Sequence, residues 1–259
     1  MTHSQISMQT VEKMSFETDA GIGHRARIGL LVLQTDQTLE AELTHLTTLD
    51  GVALYHARLA NDAVVTPETL ARMAHELPRA AELISPSLGL SAIGYACTSG
   101  STIIGEARVA QILASIHPGV LSSNPLTAAK AAFTAFGISR VGLVTPYTPD
   151  VTLAMQANFV AAGIEVPVVG SFYEDNDLQV GKITEASILK AAIAVGRDPR
   201  CEAVFISCTS LRTVRVIAQV EAALAKPVTA SNHSLAWHLL RLSGVNDQRD
   251  DAGQLFAHH

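Results

Sequence analysis

The tripeptide Cys-Thr-Ser occurs twice in this chain, and each copy closes an apolar run. Leu90 to Ala96 leads into Cys97-Thr98-Ser99, and Ala203 to Ser207 leads into Cys208-Thr209-Ser210. Two of the three cysteines therefore hold matching places. A thiol acts as nucleophile or base only as its thiolate. Placed at a strand's carboxyl end and just before a helix N-terminus, it would meet backbone N–H groups and a positive dipole end, which favour that form. The same N–H groups, with the hydroxyls of Thr98, Ser99, Ser101, Thr209 and Ser210, would suit a substrate carboxylate. Two such thiols suggest one pair working on a single small acid from opposite sides. The plain alternative is that each cysteine is a small core hydrophobe; the matched placement argues for the pair.

Other polar residues sit where they would surround such a site. Gln34-Thr35-Asp36-Gln37-Thr38 directly follows the apolar run Arg27 to Leu33, as a helix cap or as a ligand loop. The corresponding loop of the second half is Thr145-Pro146-Tyr147-Thr148-Pro149-Asp150, where Tyr147 either offers a phenol to the cleft or covers the core edge. Asn176-Asp177 reads as a solvated turn, Cys201 as incidental and Arg212 as a surface residue. His233 and His238 are five apart and do not share a helix face as paired metal ligands would. No HExxH, no Cys/His ligand spacing, no GxGxxG after a strand and no P-loop is present, so neither a metal nor a nucleotide cofactor is expected.

These residues need strand ends and helix starts to hold them. Arg27 to Leu33 suits a buried parallel strand, Thr38 to Leu49 a helix, and Val52 to Leu59 the next strand. Thr66-Pro67-Glu68 reads as a helix start, with Thr66 as N-cap and Pro67 in the first turn. The Cys97 strand and a helix from about Gly100 to Ile116 follow. The second half repeats the order: strand Arg140–Thr145, helix Pro149–Ala162, strand Ile164–Val169, helix Ile183–Val195, the Cys208 strand, and a helix from Arg212 to Ala225. Cys97 lies 64 positions after Leu33, and Cys208 lies 63 after Thr145. The pattern is a duplicated βαβαβα unit, and alternating strands and helices imply parallel sheets with helices on both faces. The fold class expected is α/β: two pseudo-symmetric, doubly wound parallel-sheet lobes with the active site in the cleft between them. Residues 1–24 are expected to be a flexible arm, 25–116 plus 227–259 lobe one, and 117–226 lobe two. The strand Pro227–Ala230 and the helix Ser231–Leu242 are expected to return together to the first half.

Composition narrows the function. At 259 residues the chain can bury a full core, and its formal charge of −6, without a basic stripe, argues against nucleic acid. A mean hydropathy of +0.26 with 16% charged residues marks a folded chain, and no apolar run reaches a membrane span. Acidic and basic residues interrupt the N-terminus, so no secretory signal is read there. Three cysteines without CxxC spacing fit a reduced, cytoplasmic setting.

The duplicated unit with paired strand-end cysteines resembles the aspartate/glutamate racemase superfamily from about Arg27 onward. Tyr95-Ala96-Cys97-Thr98-Ser99-Gly100-Ser101, Val144-Thr145-Pro146-Tyr147 and Ser207-Cys208-Thr209-Ser210-Leu211-Arg212 look like the motifs of maleate cis-trans isomerases and the related ectoine-utilisation (EutA-type) proteins. Arylmalonate decarboxylases are similar too, but have glycine at the place of Cys97; two cysteines argue against decarboxylation. Maleate isomerases are expected to carry an asparagine in a Pro-Ser-Ser-Asn-Thr loop after the first strand. Here Asp36 stands at or beside that place, and Asp177 aligns with a second substrate-contacting asparagine. The Gln-Thr-Asp-Gln-Thr loop looks like the ectoine-utilisation branch.

The expectation is a cofactor-independent, two-cysteine isomerase or racemase of a small carboxylic acid. Its substrate would be either an amino-acid type of ectoine catabolism or maleate. Catalysis falls to Cys97 and Cys208, and substrate contact to Gln34, Asp36, Thr98, Ser99, Tyr147, Asp177, Thr209 and Ser210. A homodimer or homotetramer is expected from the resemblance. The alternatives are a small-acid binding protein without chemistry, and a decarboxylase using Cys208 alone.

Overall fold

A computed structural model describes residues 11–259, so residues 1–10 of the expected arm lie outside the described residues. Residues 11–24 form neither helix nor strand. Beyond them the chain runs β1 (Ala26–Leu33), α1 (Leu39–Thr47), β2 (Val52–Leu59), α2 (Pro67–Glu82), β3 (Ala92–Ala96), α3 (Thr98–Ile104), α4 (Glu106–Ile116), β4 (Leu121–Ser123) and α5 (Pro125–Phe136). The second half follows with β5 (Val141–Thr145), α6 (Pro149–Ala161), β6 (Val169–Ser171), α7 (Asp177–Val180), α8 (Glu185–Gly196), β7 (Ala203–Ile206), α9 (Val214–Leu224), β8 (Val228–Ala230) and α10 (Ser231–Leu242), closed by α11 (Gly253–His258). Two four-stranded parallel sheets result, in the orders β2-β1-β3-β4 and β6-β5-β7-β8. The two orders are the same permutation, so the expected two-lobed α/β class and the duplication stand.

The alternation of β1 explains why its run is apolar throughout. Ile28, Leu30 and Val32 pack with Leu39 and Leu43 of α1 and Leu235 and Leu239 of α10, while Leu31 and Leu33 face Leu70, Met73 and Leu77 of α2. A strand covered on both faces has no polar side. The start of α2 is as expected: Thr66 accepts from the Thr69 N–H, Thr69 returns the bond to the Thr66 N–H, and Pro67 occupies the first turn.

Several expectations are corrected. The helix expected over 100–116 is two helices, because Gly105 at φ +91° breaks the run between α3 and α4. The strand expected at 164–169 is β6 at Val169–Ser171; Glu165 makes only an isolated bridge to Arg140. The elements β4 and α5 were not expected, and β4 belongs to the first sheet although it lies beyond residue 116. Nor does the segment 227–230 return to the first half: β8 pairs in parallel with β7, the neighbour that a short right-handed crossover through α9 reaches. Its helix α10, however, does cross over and packs on α1, β3 and β4. In the other direction α5 reaches the second lobe, where Phe133 meets Phe159 of α6 and Phe205 of β7 at ring-centroid distances of 5.7 and 5.9 Å. The repeat is thus one strand and one helix longer than expected, and the last helix of each copy braces the other copy.

Candidate active site

Sheet register brings the two cysteine loops together with their neighbours. Val32 lies beside Ala96 at the ends of β1 and β3, so the 34–38 loop adjoins Cys97. Val144 lies beside Ile206, which puts the Tyr147 loop next to Cys208. Cys97, Thr98, Ser99, Tyr147, Asp177, Cys208 and Thr209 line a single cavity between the lobes, with Leu33, Asn61, Asp62, Val64, Val65 and Met73 closing its other walls. Its volume is about 20 Å³, so the walls lie close together. The segment after β2 roofs it, zipped to the second lobe by Val65 N–H to Asp175 carbonyl at 2.8 Å and Asp177 N–H to Ala63 carbonyl at 2.8 Å.

The two sulfurs are held differently. Cys97 is the N-cap of α3: its sulfur accepts the Gly100 N–H at 3.2 Å and lies 3.7 Å from the Ser99 hydroxyl. Gly100 is needed there, because a Cβ would collide with the Tyr95 hydroxyl and come within 2.9 Å of the Cys97 sulfur. Cys208, expected to precede a helix as Cys97 does, instead opens a turn. The next helix, α9, starts only at Val214, and Cys208 itself sits at φ +113°. That left-handed backbone costs a non-glycine residue about 1–3 kcal/mol, and surrounding bonds must hold it. Ser231, the first residue of α10, supplies one: its hydroxyl accepts the Cys208 N–H at 2.9 Å and pairs with the Thr98 hydroxyl at 2.7 Å. One serine therefore joins the two Cys-Thr-Ser loops. Beside it, Asn232 donates at 2.8 Å to the Thr209 carbonyl and at 2.8 Å to Glu42 of α1, whose carboxylate also accepts the Thr213 and Val214 N–H groups that start α9.

Burial decides the acidity here. It pushes the Cys97 thiol up to about 11, against the pull of the Gly100 N–H and the Ser99 hydroxyl. Burial raises Cys208 further, and the Asp177 charge adds to it. The thiolates are therefore not stabilised in this buried site, contrary to the expectation from helix N-termini. The two environments nevertheless separate the pair, with Cys97 the easier to ionise. The Tyr147 phenol is raised well above its ordinary value, first by burial and then by the neighbouring sulfurs, and its hydroxyl lies beside Cys208 without a close hydrogen bond among the described residues.

Among the other expected contacts, Asp177 is buried rather than a solvated turn. Its carboxylate accepts from the Thr35 hydroxyl and, at 2.8 Å, from the Ser210 hydroxyl, so it ties the first-strand loop to the second cysteine loop. Asp36 is a helix-start acceptor: Oδ1 takes the Thr38 and Leu39 N–H groups, each at 2.8 Å, while the buried Oδ2 makes no close hydrogen bond among the described residues and the Thr209 hydroxyl faces the carboxyl. Ser210 is buried behind the cavity wall as Asp177's partner. Gln34 is exposed and does not line the cavity, since its place at the strand end turns it outward. Cys201 is buried elsewhere, against Gly142, and Arg212 is exposed and donates to the Ile183 carbonyl. Sequence reading missed Asn61, Asp62, Ser231, Asn232 and Glu42. Only Asn61-Asp62 carried a signal, as polar residues just after an apolar strand. Among the described residues no cluster of three metal-ligating side chains occurs, and no helix is long and apolar enough to cross a membrane.

Known proteins share this fold. The maleate isomerase of Alcaligenes faecalis is 22% identical over 244 residues, covering 89% of this chain and 96% of that protein. The arylmalonate decarboxylase of Bordetella bronchiseptica is 28% identical over 141 residues, 53% of this chain and 58% of that one. Among solved structures, a variant maleate cis-trans isomerase of Nocardia farcinica with a covalently bound succinylcysteine intermediate superposes with a TM-score of 0.82 at 23% identity, covering 90% of this chain and 99% of that one. The profile of the arylmalonate decarboxylase family matches residues 30–256, and the chain belongs to that family.

Proposed function

We propose that this protein is a cofactor-independent isomerase of a small carboxylic acid, acting through Cys97 and Cys208. The observation that carries the reading is that both sulfurs, from duplicated loops, line one closed cavity together with the Tyr147 phenol. In the racemase form, the Cys97 thiolate removes the α-proton and the Cys208 thiol delivers its own proton to the opposite face. The first sulfur ends as thiol and the second as thiolate. In the cis-trans form, the Cys97 thiolate adds to one alkene carbon while the Cys208 thiol, with Tyr147 beside it, gives its proton to the other and takes one back on elimination. The new single bond rotates, and loss of that proton expels the thiolate again. The substrate is either an amino-acid type or maleate. Thr98, Ser99, Thr209 and Tyr147 supply hydroxyl donors for its carboxylate and for the enolate-like charge. Tyr147 fits that role because burial keeps its proton on.

The test is solvent-deuterium exchange into small acids by the unaltered chain and by Cys97→Ser and Cys208→Ser. The expected result is exchange in the unaltered chain and its loss in both variants. Exchange or turnover retained by both variants would falsify the reading. Carbon dioxide release that survives in Cys97→Ser would instead indicate a decarboxylase using Cys208 alone.

A further inference from the structure

The charges around the cavity are one-sided. No Lys, Arg or His is among its lining residues, while Asp62 and Asp177 are. Asp62 is neutralised by Arg72 at 2.7 Å, outside the wall. Among the described residues Asp177 meets no cation: its partners are the hydroxyls of Thr35 and Ser210, and it is 4% exposed. Behind Thr209 stands Asp36, 2% exposed, its carboxyl pushed up by burial against the pull of the Leu39 and Thr38 N–H groups and the Thr209 hydroxyl. The nearest guanidinium to that loop, Arg58, spends its donors on the carbonyls of Leu33, Gln34 and Asp36 and on the Glu40 carboxylate. Tyr147 lines the same space, with its buried hydroxyl beside the Cys208 sulfur.

A site with these walls accepts a positive group and resists a second negative one, since charges a few ångströms apart in a poorly screened interior interact strongly. Resting on the isomerase reading above, we propose that the substrate carries an ammonium group, bound by Asp177 with Asp36 behind it, and a single carboxylate. The wall that holds the ammonium is the one that discriminates against dicarboxylates. Asp177 is suited to this because each oxygen has accepted one hydroxyl and keeps a further lone pair. Its two tethers come from different lobes, which fixes its carboxylate against the cavity. A second consequence supports the assignment. Asp177 is among the charges that keep both thiols protonated. An ammonium group seated on it offsets that charge and eases thiolate formation only when substrate is present.

The experiment is binding, by calorimetry on the full chain, of three four-carbon acids of different net charge: 2,4-diaminobutyrate, 2-aminobutyrate and maleate. The expected order of affinity is diamino acid, then monoamino acid, then maleate. Asp177→Asn, which keeps an acceptor for the tethers, should weaken the diamino acid by about tenfold to a hundredfold, the worth of a hydrogen bond to a charged group. It should leave maleate unchanged or improve it. Asp36→Asn, which leaves the Asp177 tethers alone, should shift the same preference by a smaller factor and serves if Asp177→Asn does not fold. Maleate binding tighter than either amine, failure of both amines to bind, or an unchanged preference in folded variants would overturn the proposal. Binding is read without turnover. Amines that bind a chain whose exchange ignores both cysteines would sink the isomerase reading and leave this one standing.

Discussion

Replacing Ser231 with alanine tests the link between the two cysteine loops. The substitution removes the acceptor of the Cys208 N–H and the partner of the Thr98 hydroxyl, at 2.9 and 2.7 Å. Cys208 is 5% exposed and Ser231 fully buried, so water does not replace the lost bonds. An orphaned buried N–H costs about 1–3 kcal/mol, and the hydroxyl pair adds about 1 kcal/mol. Against this, a Cys208 backbone released from φ +113° recovers part of its strain of about 1–3 kcal/mol. The balance is a net loss of roughly 1–3 kcal/mol, or a Tm lower by about 3–10 °C for a chain of this size. The recovered strain is the functional damage, because the sulfur moves as the backbone relaxes. Alkylation of Cys208, followed by peptide mapping, should therefore become faster in Ser231→Ala, and any turnover should fall. Ser234→Ala is the control. Its hydroxyl bonds only to carbonyls at the start of its own helix, that of the capping Ala230 at 2.9 Å and that of Ser231 at 3.4 Å, and its loss should cost less than about 1 kcal/mol. If the two variants unfold at the same denaturant midpoint and Cys208 alkylates at an unchanged rate, the serine does not hold the loop.

Three further outcomes follow from the same geometry. Cys208→Gly should be more stable than Cys208→Ala by about 1 kcal/mol in denaturant unfolding, because only glycine occupies a positive φ without strain; the opposite order would mean that the backbone is not strained there. Gly100→Ala should destabilise by about 1–3 kcal/mol and slow alkylation of Cys97, since the added Cβ presses on Tyr95, the Cys97 sulfur and Met73; a variant that melts with the unaltered chain would contradict this. Burial lowers buried His233 to about 4, while its Nε2 bonds the Ala252 carbonyl at 2.6 Å. With the folded value below the unfolded one of about 6.5, its contribution is present above pH 6.5 and is lost as pH falls toward 4. That makes about 2 kcal/mol at pH 5. Since His56 and His238 are lowered too, the quantity to measure is the difference in pH slope between the unaltered chain and His233→Gln, and equal slopes would refute the assignment.

Much of the positioning was legible because it is local. The spacing from Leu33 to Cys97 and from Thr145 to Cys208 placed both sulfurs at strand ends, and the three apolar strand runs of each half located all but the shortest strands. The three-residue strands β4 and β8 were illegible or misassigned, as so short a run carries almost no periodicity. Asp177 looked like a solvated turn for a similar reason: its sequence neighbours are polar, and it is buried by Thr35 and Ser210, 142 and 33 positions away. Ser231, the join between the loops, has nothing in its neighbourhood to mark it.

What the residue order alone determined was the duplication, the α/β class and the two thiols at equivalent strand ends, since each follows from hydrophobic periodicity and from residue types a few positions apart. Tertiary structure decided that the last helix of each repeat braces the other, that Asp177 enters the cavity with no cation beside it among the described residues, and that burial raises both thiols. Those outcomes rest on desolvation and on contacts between segments far apart in the chain, which depend on every neighbour in space and on no local pattern.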